Sequence, residues 1–291
     1  MMMRGEERVL IQGITGKQGT FWTERMQEYG TRVVAGVNPK RAGETHCGVP
    51  VRASAREAAA EVDIDVSVLF IPPLAVRDAA IDAIEAGVRK LVVLTEHVPV
   101  QDVMYFLSAA RERGVQVLGP NTAGLVTPGE CFAGFMPAFS TGIFRPGGIG
   151  VISRSGSLGT LICLNLVQSG HGESAFIGIG GDPILGTTTR DALETLDKDK
   201  FTRAVVIVGE IGGAMEEEAA EYAAGMRKPV VAFIAGRASP PGKKMGHAGA
   251  IVMGDVGTYA SKRAALERSG VEVLDTPSDV GAVIDRALDI S

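Results

Sequence analysis

Short apolar runs alternate with longer amphipathic ones through the first half of the chain. Arg8–Gln12, Thr31–Val37, Val66–Ile71, Lys90–Leu94 and Val115–Gly119 are rich in Val, Ile and Leu over strand-like lengths, and each reads as a buried strand. Between them, Thr20–Tyr29, Glu57–Glu61, Val76–Ala86 and Gln101–Arg113 read as helices, with Gly30 and Gly87 as stop signals. Strands apolar on both faces, alternating with helices, predict a parallel sheet covered on both sides. The stretch 120–148, PNTAGLVTPGECFAGFMPAFSTGIFRPGG, breaks this rhythm with Gly and Pro and reads as a domain crossover. A second series follows, with strands expected at Ile149–Ser153, Ala175–Ile179, Ala204–Val208, Val230–Ile234 and Val271–Leu274. The expectation is an α/β protein with doubly wound domains at 1–125 and 145–291 and a crossover linker at 126–144.

Composition changes this picture little. A length of 291 residues supports two domains, and 45% hydrophobic with 22% charged residues is an ordinary globular balance. The net charge of −5 gives no global attraction to nucleic acid or to an anionic membrane. No run approaches the roughly 20 apolar residues that span a bilayer, and the opening MMMRGEERVLIQG has no apolar stretch of signal-peptide length. A cytoplasmic protein with no membrane or nucleic-acid partner is expected. The three cysteines, Cys47, Cys131 and Cys163, are widely spaced and form no CxxC pair, so reduced thiols and no metal site are expected.

Five segments carry candidate chemistry. Strand one runs into Gly13-Ile14-Thr15-Gly16-Lys17-Gln18-Gly19, where glycines every third residue let the backbone turn tightly before a helix N-terminus, a candidate diphosphate cradle. At the end of strand two, an NAD site would place an acid. This chain has Asn38-Pro39-Lys40-Arg41, whose cations suit a further phosphate, as on NADP or coenzyme A. In the second domain, His247 stands among small residues in GKKMGHAGA, and a neutral imidazole there is a nucleophile able to carry phosphoryl. Glu210, in Gly209-Glu210-Ile211-Gly212-Gly213, is placed to accept the Nδ1 proton and leave Nε2 for phosphorylation. Ser153-Arg154-Ser155-Gly156-Ser157, at a strand-to-helix turn, offers hydroxyls and a helix N-terminus to an anion. That turn lacks the first glycine of a nucleophile elbow, which argues against a serine hydrolase.

Together QGITGKQGTF, VNPKRAG, TEHVPVQD, GPNTAG, VISRSGSLG, IGIGGDPILGTT, VGEIGG and KKMGHAGAIVMG cover nearly the whole chain, and they resemble the α subunit of succinyl-CoA synthetase and the small subunits of related malate– and citrate–CoA ligases. The resemblance implies an N-terminal Rossmann-like CoA-binding domain followed by a flavodoxin-like doubly wound ligase domain. It implies CoA contacts at Thr15, Gly16, Lys17, Gln18, Lys40, Arg41, Leu94, Thr95 and Glu96. It implies a phosphorylated His247 with Glu210 as its partner, and a phosphate-receiving turn at Ser153, Ser155, Gly156 and Ser157. It also implies a separate ATP-grasp β subunit that binds the nucleoside triphosphate and Mg2+. Departures gather where the acyl group should lie: GPNTAG for the usual GPNCPG, Met136-Pro137-Ala138-Phe139 for MPGH, and Thr160 for a substrate-facing Tyr. The activity implied is therefore ligation of a small carboxylic acid to CoA, with the acid left open. A CoA-binding paralogue with a regulatory role is the alternative. An NADP-dependent oxidoreductase accounts for the first domain alone.

Overall fold

The first sheet is built from β1 (Arg8–Gln12), β2 (Arg32–Val37), β3 (Thr45–His46), β4 (Val49–Arg52), β5 (Val66–Leu69), β6 (Lys90–Val93) and β7 (Gln116–Leu118). This computed structural model describes residues 1–239, 247–250, 252 and 257–289. The strand order is β3-β4-β2-β1-β5-β6-β7, parallel except for the β3–β4 pair. Leaving out β3, the order reverses between β1 and β5, which is the Rossmann arrangement. Helices α1 (Lys17–Tyr29), α2 (Ala55–Ala59), α3 (Val76–Glu85) and α4 (Val100–Glu112) connect the strands. Leu10, Leu69, Leu91 and Val93 of the sheet share one buried cluster with Val76, Ala80 and Phe106 of the helices.

Three local expectations change. Helix α1 starts at Lys17, three residues before the expected Thr20, because Gly16 is extended and serves as its N-cap. Between the expected strand ending at Val37 and the expected helix at Glu57–Glu61, the chain forms the short antiparallel β3–β4 hairpin. The expected linker at 126–144 contains much of a second hairpin, β8 (Gly124–Thr127) and β9 (Cys131–Gly134), whose two strands are buried along their length. Phe132 exchanges hydrogen bonds with the Thr31 hydroxyl at 2.8 and 3.0 Å, and its ring meets the rings of Trp22 and Tyr29 edge-on. Two apolar runs flank the turn Pro128-Gly129-Glu130, a hairpin signal that the Gly and Pro content masked. By contacts the first unit reaches Phe139 and includes Ile184–Gly186.

In the second unit the strands are β10 (Pro146–Ser153), β11 (Glu173–Gly178), β12 (Ala204–Glu210), β13 (Val230–Ala235) and β14 (Glu272–Leu274). They form the run β14-β13-β12-β10-β11, parallel throughout. This is the flavodoxin-like order, and it reverses between β10 and β12. Helices α5 (Gly156–Gln168), α6 (Thr189–Lys198), α7 (Met215–Ala223), α8 (Tyr259–Arg268) and α9 (Val280–Ala287) belong to it. Among the described residues, no helix is long and apolar enough to cross a membrane.

Glu173, at the start of β11, is buried with Oε2 accepting from the Arg145 N–H at 3.0 Å and Oε1 without a partner. Burial pushes its carboxyl up to about 8, from an ordinary 4.5. Across that window the folded chain holds a proton that the unfolded chain has released. Stability therefore falls as pH rises from 4.5 towards about 8, by at most about 1.4 kcal/mol per pH unit. Glu173→Gln is expected to remove this slope. Urea midpoints should match wild type near pH 5 and exceed it at pH 8.

Candidate functional site

Open parallel sheets bind ligands beyond the carboxyl ends of their strands, where the strand order reverses. In the first unit that place is the end of β1 beside β5. The chain leaves β1 through Gly13, whose φ is +79° and where a Cβ would stand 2.2 Å from the Phe70 carbonyl oxygen. Only glycine lets the loop lie this close to the end of β5. Helix α1 then opens with no side chain capping it, and Gly16, Lys17 and Gln18 are exposed. Its first-turn N–H groups have no acceptor within the helix and carry the positive end of the dipole.

Asn38 ties this loop to the next. Its amide donates to the Thr15 hydroxyl, and its Oδ1 accepts from the Lys40 N–H at 3.0 Å, capping the turn Pro39–Arg41. Lys40 and Arg41 are exposed. Arg41 Nη2 lies 2.6 Å from Glu44 Oε2, and this pairing raises the guanidinium pKa and lowers that of the carboxyl. An arriving phosphate has to share Arg41 with Glu44. At the end of β6 the Leu94 side chain is buried and the Thr95 hydroxyl donates to the Ile71 carbonyl at 2.8 Å. Of these three residues, Glu96 has the exposed side chain. An uncapped helix N-terminus beside two adjacent cations fits the phosphates of a ligand such as CoA.

In the second unit the order reverses at the ends of β10 and β12. Ser153 pairs with Val208 across these strands, so Arg154 and Glu210 leave neighbouring strand ends. His247 Nδ1 lies 2.7 Å from Glu210 Oε2. The ring packs flat on the main chain, since a Cβ on Gly181 would stand 2.7 Å from its Cγ. The hydrogen bond to Glu210 is the largest influence raising the imidazole pKa above its ordinary value. Asp182 adds to it, while burial and Arg154 oppose it. A carboxylate can only accept, so Nδ1 carries the proton and the neutral ring presents a lone pair at Nε2. The segment 240–246, which includes Lys243, Lys244 and Gly246 of the histidine motif, lies outside the described residues, as do Ile251, Met253 and Gly254.

The serine turn is ordered by its own hydroxyls. Ser153 Oγ donates to the Ser155 carbonyl at 2.6 Å and accepts from the Ser155 N–H at 3.2 Å. Ser155 caps α5, accepting from the Leu158 N–H at 3.4 Å, and its Oγ lies 3.3 Å from that of Ser157. Gly156 and Ser157 open the helix. Thr160 Oγ1 donates to the Gly156 carbonyl at 2.7 Å, so its hydroxyl proton is committed to its own helix.

Several neighbours of the site did not stand out in the sequence. Arg154 sits inside the serine motif and contacts Glu210, with Nη2 3.3 Å from Oε1. Glu216 Oε1 accepts from the Glu210 N–H at 3.1 Å. Asn38 bridges the two loops of the first crevice. For Arg154 the signal was its place between two serines at a strand end. Glu216 starts an acidic run in the first turn of α7, the pattern of a solvated helix start, and had no distinguishing signal.

The chain matches the family described as CoA binding domain over residues 5–97 and that described as CoA-ligase over residues 152–271. It is 47% identical over 281 residues to subunit alpha 2 of the ADP-forming succinate–CoA ligase of Archaeoglobus fulgidus, covering 97% of each chain. A subunit of an ADP-forming sulfoacetate-CoA ligase from an Acholeplasma species, SqwL, is 42% identical over 282 residues, covering 96% of this chain and 95% of its own. The ATP citrate lyase of Methanothrix soehngenii, solved with citrate and coenzyme A, shares the fold with a TM-score of 0.88 at 24% identity. That match covers 100% of this chain and 51% of the lyase chain, so this chain spans about half its length.

Proposed function

We propose, for a chain that belongs to the CoA-ligase α-subunit family, that it is the CoA-binding, phosphohistidine-bearing subunit of a nucleotide-dependent acid–thiol ligase. The observation that carries this reading is the His247–Glu210 contact of 2.7 Å at the strand-order reversal of the second sheet. A separate ATP-grasp β subunit supplies the nucleoside triphosphate and Mg2+. Nε2 of His247 attacks the terminal phosphorus; the N–P bond forms as the P–O bond to the diphosphate breaks. The acid's carboxylate oxygen then attacks that phosphorus, the N–P bond breaks, and an acyl phosphate results. The CoA thiolate displaces phosphate from the acyl carbon. Through both phosphoryl steps Nδ1 keeps its proton on Glu210. The Ser155–Ser157 turn and the positive end of α5 receive the phosphoryl oxygens.

Relatives named for succinate and for sulfoacetate both take a carboxylate that carries a second anionic group. The acid proposed here is of that class. The test is to purify the chain with its β partner, supply γ-labelled nucleotide, and map the label. Label on His247, removed by acid and stable to base, supports the reading; an unlabelled His247 sinks it. A panel of acids read as acyl-CoA by mass then identifies the substrate.

Arg41→Ala tests the CoA half. Loss of one charged contact is expected to weaken CoA by about 1–3 kcal/mol, measured by calorimetric titration, with labelling of His247 unchanged. Glu44→Gln, which frees Arg41 from its ion pair, should strengthen CoA binding.

A further inference from the structure

Behind Glu210 lies a chain of buried charges that the proposed phosphoryl steps do not use. Arg154 is 4% exposed, and Glu216 and Lys262 are fully buried. Arg154 Nη2 is 3.3 Å from Glu210 Oε1, its Nη1 is 3.6 Å from Glu216 Oε1, and Nη1 donates to the Gly212 carbonyl at 3.1 Å. Glu216 Oε2 meets Lys262 Nζ, which also donates to the Gly213 carbonyl and to Glu217 Oε2, each at 2.9 Å. Contacts thus run from His247 through Glu210, Arg154, Glu216 and Lys262 to Glu217.

Burying so many charges costs free energy that packed apolar side chains would not. Lys262 uses all three of its N–H donors. Arg154 leaves donors unused: its Nε and Nη2, and Glu210 Oε1 opposite, are buried without a hydrogen-bond partner. An ion pair serving stability alone would align its fork on the carboxylate. Here the guanidinium is held by Gly212 and Glu216, and it places a positive charge against the far oxygen of Glu210.

We propose that Arg154 is a positioning residue for His247, acting through Glu210. It keeps Oε1 turned to itself so that Oε2 faces Nδ1, and its charge weakens the hold of the carboxylate on a charged imidazole. Glu216, clamped by Lys262, fixes Arg154. The role rests on His247 being the phosphoryl carrier. Among the described residues, the charged groups acting on His247 are Glu210 at the end of β12, Asp182 after β11 and Arg154 after β10; the first two favour the cation and Arg154 opposes it.

The test is an NMR pH titration of 15N-histidine in the full chain, with the His247 signal assigned by its loss in His247→Asn. Labelling rates are measured alongside with the β partner. Arg154→Met should raise the His247 midpoint by about one pH unit, a tenfold drop in neutral ring below the midpoint. Glu210→Gln should lower it. Arg154→Lys, which keeps the charge without the fork, should restore the midpoint and only part of the labelling rate. If Arg154→Met does not fold, the charge-balanced pair Arg154→Met/Glu216→Gln is titrated instead, with the same direction expected. A folded variant whose midpoint stays or falls overturns the positioning role. Wild type that never takes label overturns the phosphoryl reading, and the titration distinguishes the two because it needs neither partner nor nucleotide.

Discussion

His247→Ala is expected to abolish labelling from γ-labelled nucleotide and acyl-CoA formation together, while CoA binding stays within about 0.5 kcal/mol of wild type. No other described side chain stands where His247 does, with one nitrogen held by Glu210 and the ring packed on Gly181. CoA binding is spared because its proposed contacts, from Thr15 to Gln18 and at Lys40 and Arg41, belong to the other contact unit. The substitution also leaves Glu210 Oε2 buried without its partner, a cost of about 1–3 kcal/mol in stability. His247→Asn separates the two effects, since its amide offers Glu210 a donor but has no phosphorylatable nitrogen. It should fold with near wild-type stability and remain unlabelled. Equal loss of CoA binding and labelling in both variants would contradict a division of labour between the two units.

The alternation of apolar strands and helices made five strands of each unit legible in the sequence, because strands such as β5 and β12 are buried along their whole length. The hairpin of β8 and β9 was not legible. Its apolar runs are four residues each and its turn is rich in Pro and Gly, so local composition pointed to a linker while its burial came from long-range contacts with Thr31, Trp22 and Tyr29. At the site, a histidine among glycines and an acid after an apolar strand were readable as a pair. The residues that govern them electrostatically were not. Lys262 lies in the helical stretch TYASKRAALERSG, where a lysine normally faces water; its contacts with Glu216, Glu217 and the Gly213 carbonyl hold it inside. Thr160 stands in the motif read as acid-facing, yet its hydroxyl is turned back on α5. Its bond is to the carbonyl four residues earlier, a common local alternative for threonine in a helix that spacing alone did not indicate.

Glu210→Gln is expected to cut the maximal labelling rate of His247 by about 10²–10⁴-fold, although it makes the ring easier to deprotonate. The carboxylate raises the imidazole pKa, so in wild type the nucleophilic neutral ring is lost as pH falls through a midpoint above 6.5. Removing the charge moves that midpoint down, and by charge alone the variant would be more reactive at neutral pH. Tautomer control reverses the balance. Arg154 Nη2 lies 3.3 Å from Oε1 and needs an acceptor there. The amide oxygen of Gln therefore turns to Arg154, and its NH2 group faces Nδ1 of His247. A donor at Nδ1 forces the proton onto Nε2, the nitrogen that has to attack phosphorus. The pH–rate profile carries both effects: the acid limb shifts to lower pH while the plateau falls. A shifted limb with an undiminished plateau would mean that Glu210 acts by charge alone and that the tautomer is fixed elsewhere. An unshifted limb would mean that the 2.7 Å contact does not govern the ionisation of His247.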